Sequence, residues 1–202
     1  MRSTAVTGAL AASILIASQS FAQISPNPIG VQVGSYKLEP AHTRVQFVVN
    51  HFGLTDYWGD VTNASGTLEL DPAHLGASKV AVSIPTASVS TTNERLDGEL
   101  KSAQFLDAAA YPTISFVSTS ITRTGARSAR VVGDLTLHGV TRPVTLDATF
   151  NSAGANPMSK TYTVGFNATG RIHRSDFGVK AFVPMVSDLT EIRVSAAFEK
   201  TN

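Results

Sequence analysis

The chain has 202 residues, a formal net charge of +1 and no cysteine. Lys and Arg are scattered singly along it, whereas nucleic-acid-binding proteins usually carry a basic patch, so the charge pattern argues against a nucleic-acid partner. Without cysteine the chain has neither disulfides nor a lipidated cysteine anchor, and its stability has to come from its core.

The first 22 residues have the pattern of a secretory signal peptide. Arg2 precedes an apolar stretch at residues 9–17, and residues 20–22 read Ser-Phe-Ala, with small residues at the two recognition positions of a cleavage site. The apolar stretch is far shorter than the roughly 20 residues that cross a bilayer, and no later stretch approaches that length. We therefore predict an exported protein without a transmembrane segment.

The mature chain is predicted to form one domain after a short leader. Residues 23–34 are rich in proline and glycine, which predicts an extended leader rather than a packed element. Residues 35–200 are of single-domain size, and a mature chain of about 180 residues buries close to 70% of its extended surface.

From residue 35 onward, apolar and polar side chains alternate, which is typical of half-buried strands. The alternation predicts about nine strands, which start near residues 35, 45, 66, 80, 114, 131, 144, 162 and 192. Turn residues such as Asp71-Pro72 and Thr124-Gly125 separate these segments and favour antiparallel hairpins. One apolar face has to be covered, so the strands form a sandwich or a closed barrel, and periodicity alone leaves both open.

Only residues 92–105 depart from the strand pattern. Leu96 and Leu100 are four residues apart, and residues 91–94 have the form of a capping box. We predict one short helix there, between the fourth and fifth strands.

Four segments carry a family resemblance. They are residues 36–53 with His42 and His51, residues 105–118 with Tyr111-Pro112, residues 133–141 with His138-Gly139, and the Arg-Ser-Asp-Phe-Gly of residues 174–178. In this order they resemble the YceI-like, or polyisoprenoid-binding, proteins of bacterial periplasms, over residues 35–200. The sequence departs from the family pattern at residues 55–59, which include Trp58, and at residues 95–102, both near the expected entrance.

The resemblance implies a fold, a function and a compartment. The fold is all-β, an eight- to nine-stranded antiparallel lipocalin-like extended barrel with one or two short helices near the mouth. The function is non-catalytic binding and carriage of a long apolar lipid, an isoprenoid quinone or polyprenyl chain, in the barrel lumen of a periplasmic protein. No resident cofactor is implied.

The predicted ligand-binding residues come from the inward strand faces, the helix region and the segment at residues 174–178. They are Phe47, Val49, His51, Leu68, Val82, Ile84, Leu96, Leu100, Phe105, Phe116, Leu135, Leu146, Phe166, Arg174 and Phe177. A lipid with about 20 buried carbons would gain up to about 16 kcal/mol of gross transfer free energy, which exceeds the contribution of any single polar contact.

Several alternatives stay open at this point. The inward side chains could fill the barrel instead of enclosing a cavity. His51 could contact a ligand headgroup or be a core histidine, and Arg174 and Phe177 could contact ligand or form a structural corner. The ligand could also be a fatty acid or fatty amide, and homodimer formation is left open.

Other function classes are less well supported by the sequence. Common hydrolase and nucleotide-binding motifs are absent, although a nonstandard hydrolase using His51 remains an alternative. A β-sandwich that acts through its surface would need an exposed apolar patch, which a sequence does not reveal. The five histidines show no His-x-His and no helical i,i+4 pair, so we predict no metal site.

Overall fold

The computed structural model describes residues 24–201, and the predicted signal peptide lies outside the described residues. The described chain forms ten β-strands and one α-helix. The elements are β1 (Gly34–His51), β2 (Thr55–Val61), β3 (Ser65–Leu70), β4 (Lys79–Pro85), β5 (Val89–Ser90), α1 (Glu94–Lys101), β6 (Thr113–Arg123), β7 (Ser128–Leu137), β8 (Val140–Ala155), β9 (Tyr162–His173) and β10 (Val186–Lys200). Short 3-10 helices lie at Leu75–Ala77, Thr86–Ser88 and Arg174–Phe177.

Eight of these strands close into an antiparallel barrel. The strand order is β10-β9-β8-β7-β6-β4-β3-β1, and β1 pairs back with β10 through registers such as Phe47 opposite Ile192 and Leu38 opposite Phe198. Closure gives every barrel strand two neighbours, while β2 extends from the last part of β1 and pairs on its outer side with only the two residues of β5. The predicted antiparallel barrel is therefore confirmed, and the sandwich alternative is wrong.

The first strand differs from its prediction. The segments predicted as separate strands at residues 35–39 and 45–51 form the single 18-residue strand β1, with a register irregularity against β10 between Glu39 and Arg44. The first part of β1 pairs with β3 and the last part with β2. No strand was predicted between residues 55 and 61, but they form β2, because pairing with β1 holds a segment whose own apolar pattern is short.

The predicted helix at residues 92–105 is present but shorter. The Asn93 side chain caps α1 by accepting a 3.3 Å hydrogen bond from the Leu96 backbone N–H, while Thr91, the expected first residue of the capping box, instead donates to Asp97. Residues 102–112 continue as turns that cover one end of the barrel, where the Leu106 N–H donates to the Leu100 carbonyl at 3.0 Å. No helix within residues 24–201 has the length and apolar character needed to cross a membrane.

The two ends of the barrel are built differently. The helix end is the end where β1 finishes at His51; it is covered by α1, residues 102–112 and the connection from Arg174 to β10. The hairpin end is the opposite end and carries the β6–β7 turn at residues 124–127. A buried cluster of Leu135, Leu137, Val144, Ile172 and Phe177 packs toward the helix end.

Part of the predicted leader packs onto the hairpin end. Ser25 forms an antiparallel bridge with Ala153 of β8, and Val31 is buried in the core. The Tyr36 hydroxyl donates a 2.6 Å hydrogen bond to the Gln32 carbonyl. Residues 24–33 contain no helix or longer strand, yet these contacts hold them against the barrel.

Candidate functional site

A cavity of about 410 Å³ lies inside the barrel. Its wall consists mainly of aliphatic and aromatic side chains from all eight barrel strands, together with side chains from α1 and the segment that follows it. Small-molecule sites typically enclose about 300 to 1,000 Å³, so the volume suits a ligand. The alternative in which the side chains fill the interior completely is therefore wrong.

Twelve of the fifteen predicted ligand-binding residues line this cavity. They are Phe47, Val49, Leu68, Val82, Ile84, Leu100, Phe105, Phe116, Leu135, Leu146, Phe166 and Arg174. Strand alternation explains the agreement for the nine residues on barrel strands, because every second residue of such a strand points inward, whereas Leu100, Phe105 and Arg174 lie outside the strands.

The structure places the other three predicted residues outside the cavity wall. His51 is the last residue of β1, and its ring centroid lies 4.2 Å from that of Phe52 and 6.1 Å from that of Tyr57. Leu96 lies in the first turn of α1 and is only partly buried. Phe177 is 2% exposed and packs into the core cluster at the helix end, so it is a core residue rather than part of the lumen wall.

Glycines on neighbouring strands keep large side chains from crossing the lumen. Phe47 lies opposite Gly59, and an added Cβ at Gly59 would overlap the Phe47 ring. Phe116 covers Gly133 of β7 in the same way. Because glycine has no Cβ, each ring can lie along the wall, and the lumen stays open between large side chains.

Arg174 lines the cavity but is fixed by backbone carbonyls. Its guanidinium donates to the carbonyls of Ser187 at 2.9 Å, Val179 at 3.0 Å and Val186 at 2.8 Å. Burial lowers the pKa of Arg174, while the charge of Asp188 raises it. These three charge-assisted hydrogen bonds connect Arg174 to the backbone of residues 179–187. The side chain therefore holds this connection across the helix end.

Asp188 completes this network. The carboxylate accepts hydrogen bonds from the Ser175 N–H at 2.8 Å and the Ser175 hydroxyl at 2.7 Å. Burial raises the pKa of Asp188, but the Ser175 hydrogen bonds and the nearby charges of His173 and Arg174 outweigh it and hold the pKa below its usual range. Asp188 is therefore ionised at neutral pH and fixes the start of β10 to the 3-10 helix.

Aromatic side chains cover the same end. Phe105 lines the cavity, and its ring centroid lies 6.0 Å from that of Phe182, which is exposed. The His138 Nδ1 lies 3.1 Å from the Phe177 carbonyl, consistent with an N–H donor, and the His138 ring packs against Tyr111. His138 thus joins the β7–β8 hairpin to the segment after β9.

The hairpin end supplies wall residues that the sequence analysis did not single out. Arg123, Ala126 and Arg127 line the cavity. Within residues 24–201, they are the only exposed residues of the cavity wall. Pro28 and Val31 of the leader also contribute to the wall. The sequence feature that could have identified the two arginines is their position on either side of the Thr124-Gly125 turn.

The histidines do not converge. Within the described residues, no group of three or more His, Asp and Glu side chains lies close enough to hold a metal ion. His42 contacts Glu39 at 2.7 Å within the irregular part of β1, and His74 contacts Asp71 at 3.2 Å in the connection between β3 and β4.

A sequence model of the YceI-like domain matches residues 36–198. The chain belongs to the YceI-like family. A UPF0312 protein of Pseudomonas syringae is 42% identical over 142 residues, which cover 70% of this chain and 73% of the relative. A UPF0312 protein of Pseudomonas putida is 37% identical over 182 residues, covering 89% and 88%.

Solved structures support the same fold. The chain matches Burkholderia cenocepacia BcnA with a TM-score of 0.72 at 24% identity, covering 79% of this chain and 98% of BcnA. The YCEI protein of Campylobacter jejuni matches with a TM-score of 0.68 at 25% identity, covering 76% and 90%. A polyisoprenoid binding domain from Saccharophagus degradans matches with a TM-score of 0.63 at 14% identity, covering 84% and 100%.

Proposed function

We propose that this YceI-like protein binds a long apolar lipid in its barrel cavity and carries it without chemical change. The observation that carries the proposal is the cavity of about 410 Å³ with a mainly apolar wall inside a closed barrel. An isoprenoid chain is the first ligand we propose, because the similar domain from S. degradans is described as polyisoprenoid binding. The bound lipid is the only small molecule that the proposal requires.

The size of the cavity sets the energy scale. A volume of about 410 Å³ corresponds to roughly 14 groups of the size of a water molecule, at about 30 Å³ each, and a methylene group is of similar size. At about 0.8 kcal/mol for each buried methylene, the gross transfer free energy is about 11 kcal/mol before the cost of association. Burial of the apolar chain therefore supplies most of the affinity.

A carrier is favoured over the hydrolase alternative by the surroundings of His51. Its ring contacts Phe52 and Tyr57 and lies outside the cavity wall. Within residues 24–201, no carboxylate or hydroxyl group is hydrogen-bonded to it, whereas an activated nucleophile needs such a partner. We expect wild type and His51→Ala to hydrolyse a chromogenic ester equally slowly, and a loss of hydrolysis in His51→Ala would favour the enzyme.

The decisive experiment fills the cavity. Ala168 lies between Ala148 and Val194 on the inner wall, whereas the neighbouring Thr169 is exposed. Wild-type protein purified from cells and extracted for mass spectrometry is expected to contain an isoprenoid lipid. Ala168→Trp should lose that lipid because its indole occupies the lumen, and Thr169→Trp should keep it.

Two controls keep this experiment interpretable. Urea unfolding of both variants checks that each is folded, since overpacking typically costs about 1 to 3 kcal/mol. A wild-type protein that is always empty and does not take up farnesol would contradict lipid carriage.

We further propose export to the periplasm, on the strength of the signal-peptide pattern in residues 1–22. The amino-terminal sequence of protein recovered from the periplasmic fraction should begin near residue 23. Recovery of protein that starts at Met1 from the cytoplasm would contradict export.

A further inference from the structure

The exposed part of the cavity wall lies at the hairpin end, opposite the helix end where the sequence analysis expected the entrance. Arg123, Ala126 and Arg127 are the cavity-wall residues classed as exposed in the described part of the chain, and all three lie at the β6–β7 turn. The wall residues of the helix end, including Leu100, Phe105 and Arg174, are buried or partly buried. A lipid tail in the lumen would therefore place its headgroup beside the two arginines.

Both arginines keep hydrogen-bond donors that no acceptor in residues 24–201 uses. Arg123 donates from Nη2 to the Pro72 carbonyl at 2.8 Å. Arg127 donates from Nε and Nη2 to the Phe150 carbonyl, and from Nη2 to the Asn151 carbonyl at 2.6 Å. A guanidinium has five N–H groups, so Nη1 of Arg127 and most donors of Arg123 remain for a ligand.

The positive charge of this mouth is not neutralised by the protein. Within residues 24–201, neither Arg123 nor Arg127 forms an ion pair. Asp71, next to Pro72, accepts the N–H groups of Ala73 and His74 in its own turn. Asp147 pairs with the outward-facing Arg130 at 3.3 Å.

We propose that the hairpin-end mouth binds the anionic headgroup of a single-chain lipid, a carboxylate or phosphate, through Arg123 and Arg127 while the tail occupies the lumen. This inference rests on the proposed lipid binding. A guanidinium matches carboxylate and phosphate oxygens with paired N–H donors, and a neutral headgroup cannot use the charge. Because the mouth is exposed, the preference should weaken as ionic strength rises.

The test uses ligand pairs with the same chain and different headgroups. Binding of oleate is compared with methyl oleate, and binding of farnesyl phosphate with farnesol, by isothermal titration calorimetry at low salt. We expect the wild type to bind at least one anion about tenfold more tightly than its neutral partner, the gain of a charge-assisted contact. The pair that shows the preference identifies the headgroup as carboxylate or phosphate.

Substitutions assign the preference to the mouth. The double variant Arg123→Met/Arg127→Met should bind the anion and its neutral partner with the same affinity. Arg123→Met alone should reduce the preference about threefold. This single variant leaves the hydrogen bonds of Arg127 to the backbone carbonyls intact. The matched control is Arg130→Met/Arg142→Met, which removes two exposed charges outside the cavity wall and should keep the full preference.

The outcomes separate the two proposals. If no lipid of either pair binds, the proposed function fails. If the neutral lipids bind and neither anion is preferred, lipid binding stands and the headgroup site is overturned. An equal loss of preference in the control variant would also overturn the site, because it would assign the effect to net charge alone.

Discussion

The two ends of the barrel both present arginine to the cavity, but in opposite settings. At the helix end, Arg174 is 8% exposed and donates to three backbone carbonyls that it draws together. At the hairpin end, Arg123 and Arg127 are exposed and keep free donors beside the cavity. The same side chain thus closes one end and leaves charge available at the other.

This contrast shows why residue type alone does not assign a role. A buried guanidinium is costly unless carbonyls or carboxylates satisfy it, so Arg174 is committed to its backbone partners. An exposed guanidinium keeps its hydration and can exchange water for a ligand oxygen. Arg127 also donates to backbone carbonyls, so burial, rather than the presence of arginine or the type of partner, separates closure from recognition.

Removing the arginine of the helix end is expected to have the largest effect. Arg174→Met leaves three carbonyls without their donor in a buried site and should lower the free energy of unfolding by about 4 kcal/mol. Urea unfolding measures the change, and the exposed Arg142→Met serves as control. A loss below about 1 kcal/mol would mean that the helix end does not depend on this side chain.

At the hairpin end, Tyr36 should make stability depend on alkaline pH. The buried phenol holds the leader through Gln32, and burial, reinforced by Tyr162, raises the pKa of Tyr36 from 10.0 to about 12. A raised folded-state pKa favours folding below pH 10, and this contribution of about 2 to 3 kcal/mol is lost as pH rises from about 10 to 12.

The comparison with Tyr36→Phe isolates this group. Below pH 10 the variant should be less stable than the wild type by about 1 kcal/mol, the value of one hydrogen bond. Above pH 10 the wild type should lose its advantage, as followed by urea unfolding at each pH. Parallel curves from pH 8 to pH 12 would contradict the burial of this phenol.

The smallest effect is expected for Arg123. Its side chain is exposed and donates to a single carbonyl, so Arg123→Met should change the free energy of unfolding by only about 0.5 kcal/mol. Urea unfolding of Arg123→Met and Arg174→Met under the same conditions compares the losses in unfolding free energy at the two ends. A loss comparable to that of Arg174→Met would show that the hairpin end is also held closed by its arginine.

The sequence predicted the inner wall well because the wall depends on local alternation. Residues such as Phe47, Leu135 and Phe166 line the cavity, as the two-residue period predicts. Prediction was less accurate where pairing acts over long range. β1 is one strand instead of two because it pairs with β10, far along the chain. β2 was not predicted because its own apolar pattern is short, and it is a strand through its pairing with the neighbouring β1.

The candidate site shows the same division. His51 lies two residues after Val49, so the alternation predicts that both side chains point inward. His51 nevertheless lies past the cavity wall at the end of β1, because alternation gives the face of a strand and not the position along the barrel axis. Phe177 is apolar beside a turn glycine, and only packing shows that it belongs to the core cluster. Arg123 and Arg127 carry no periodic signal, so their place at the mouth was not predicted.

By itself the sequence determined the strand periodicity, the antiparallel hairpins and most of the apolar lining, since these follow from spacing along neighbouring residues. The choice of a barrel over a sandwich came from the family resemblance and not from spacing. The tertiary structure alone decided that the barrel retains a cavity, because open space depends on contacts between strands, such as Phe47 against Gly59, that form only in the assembled sheet. It also decided which arginines are buried and which are exposed. Burial is a property of the assembled barrel, and no local pattern encodes it.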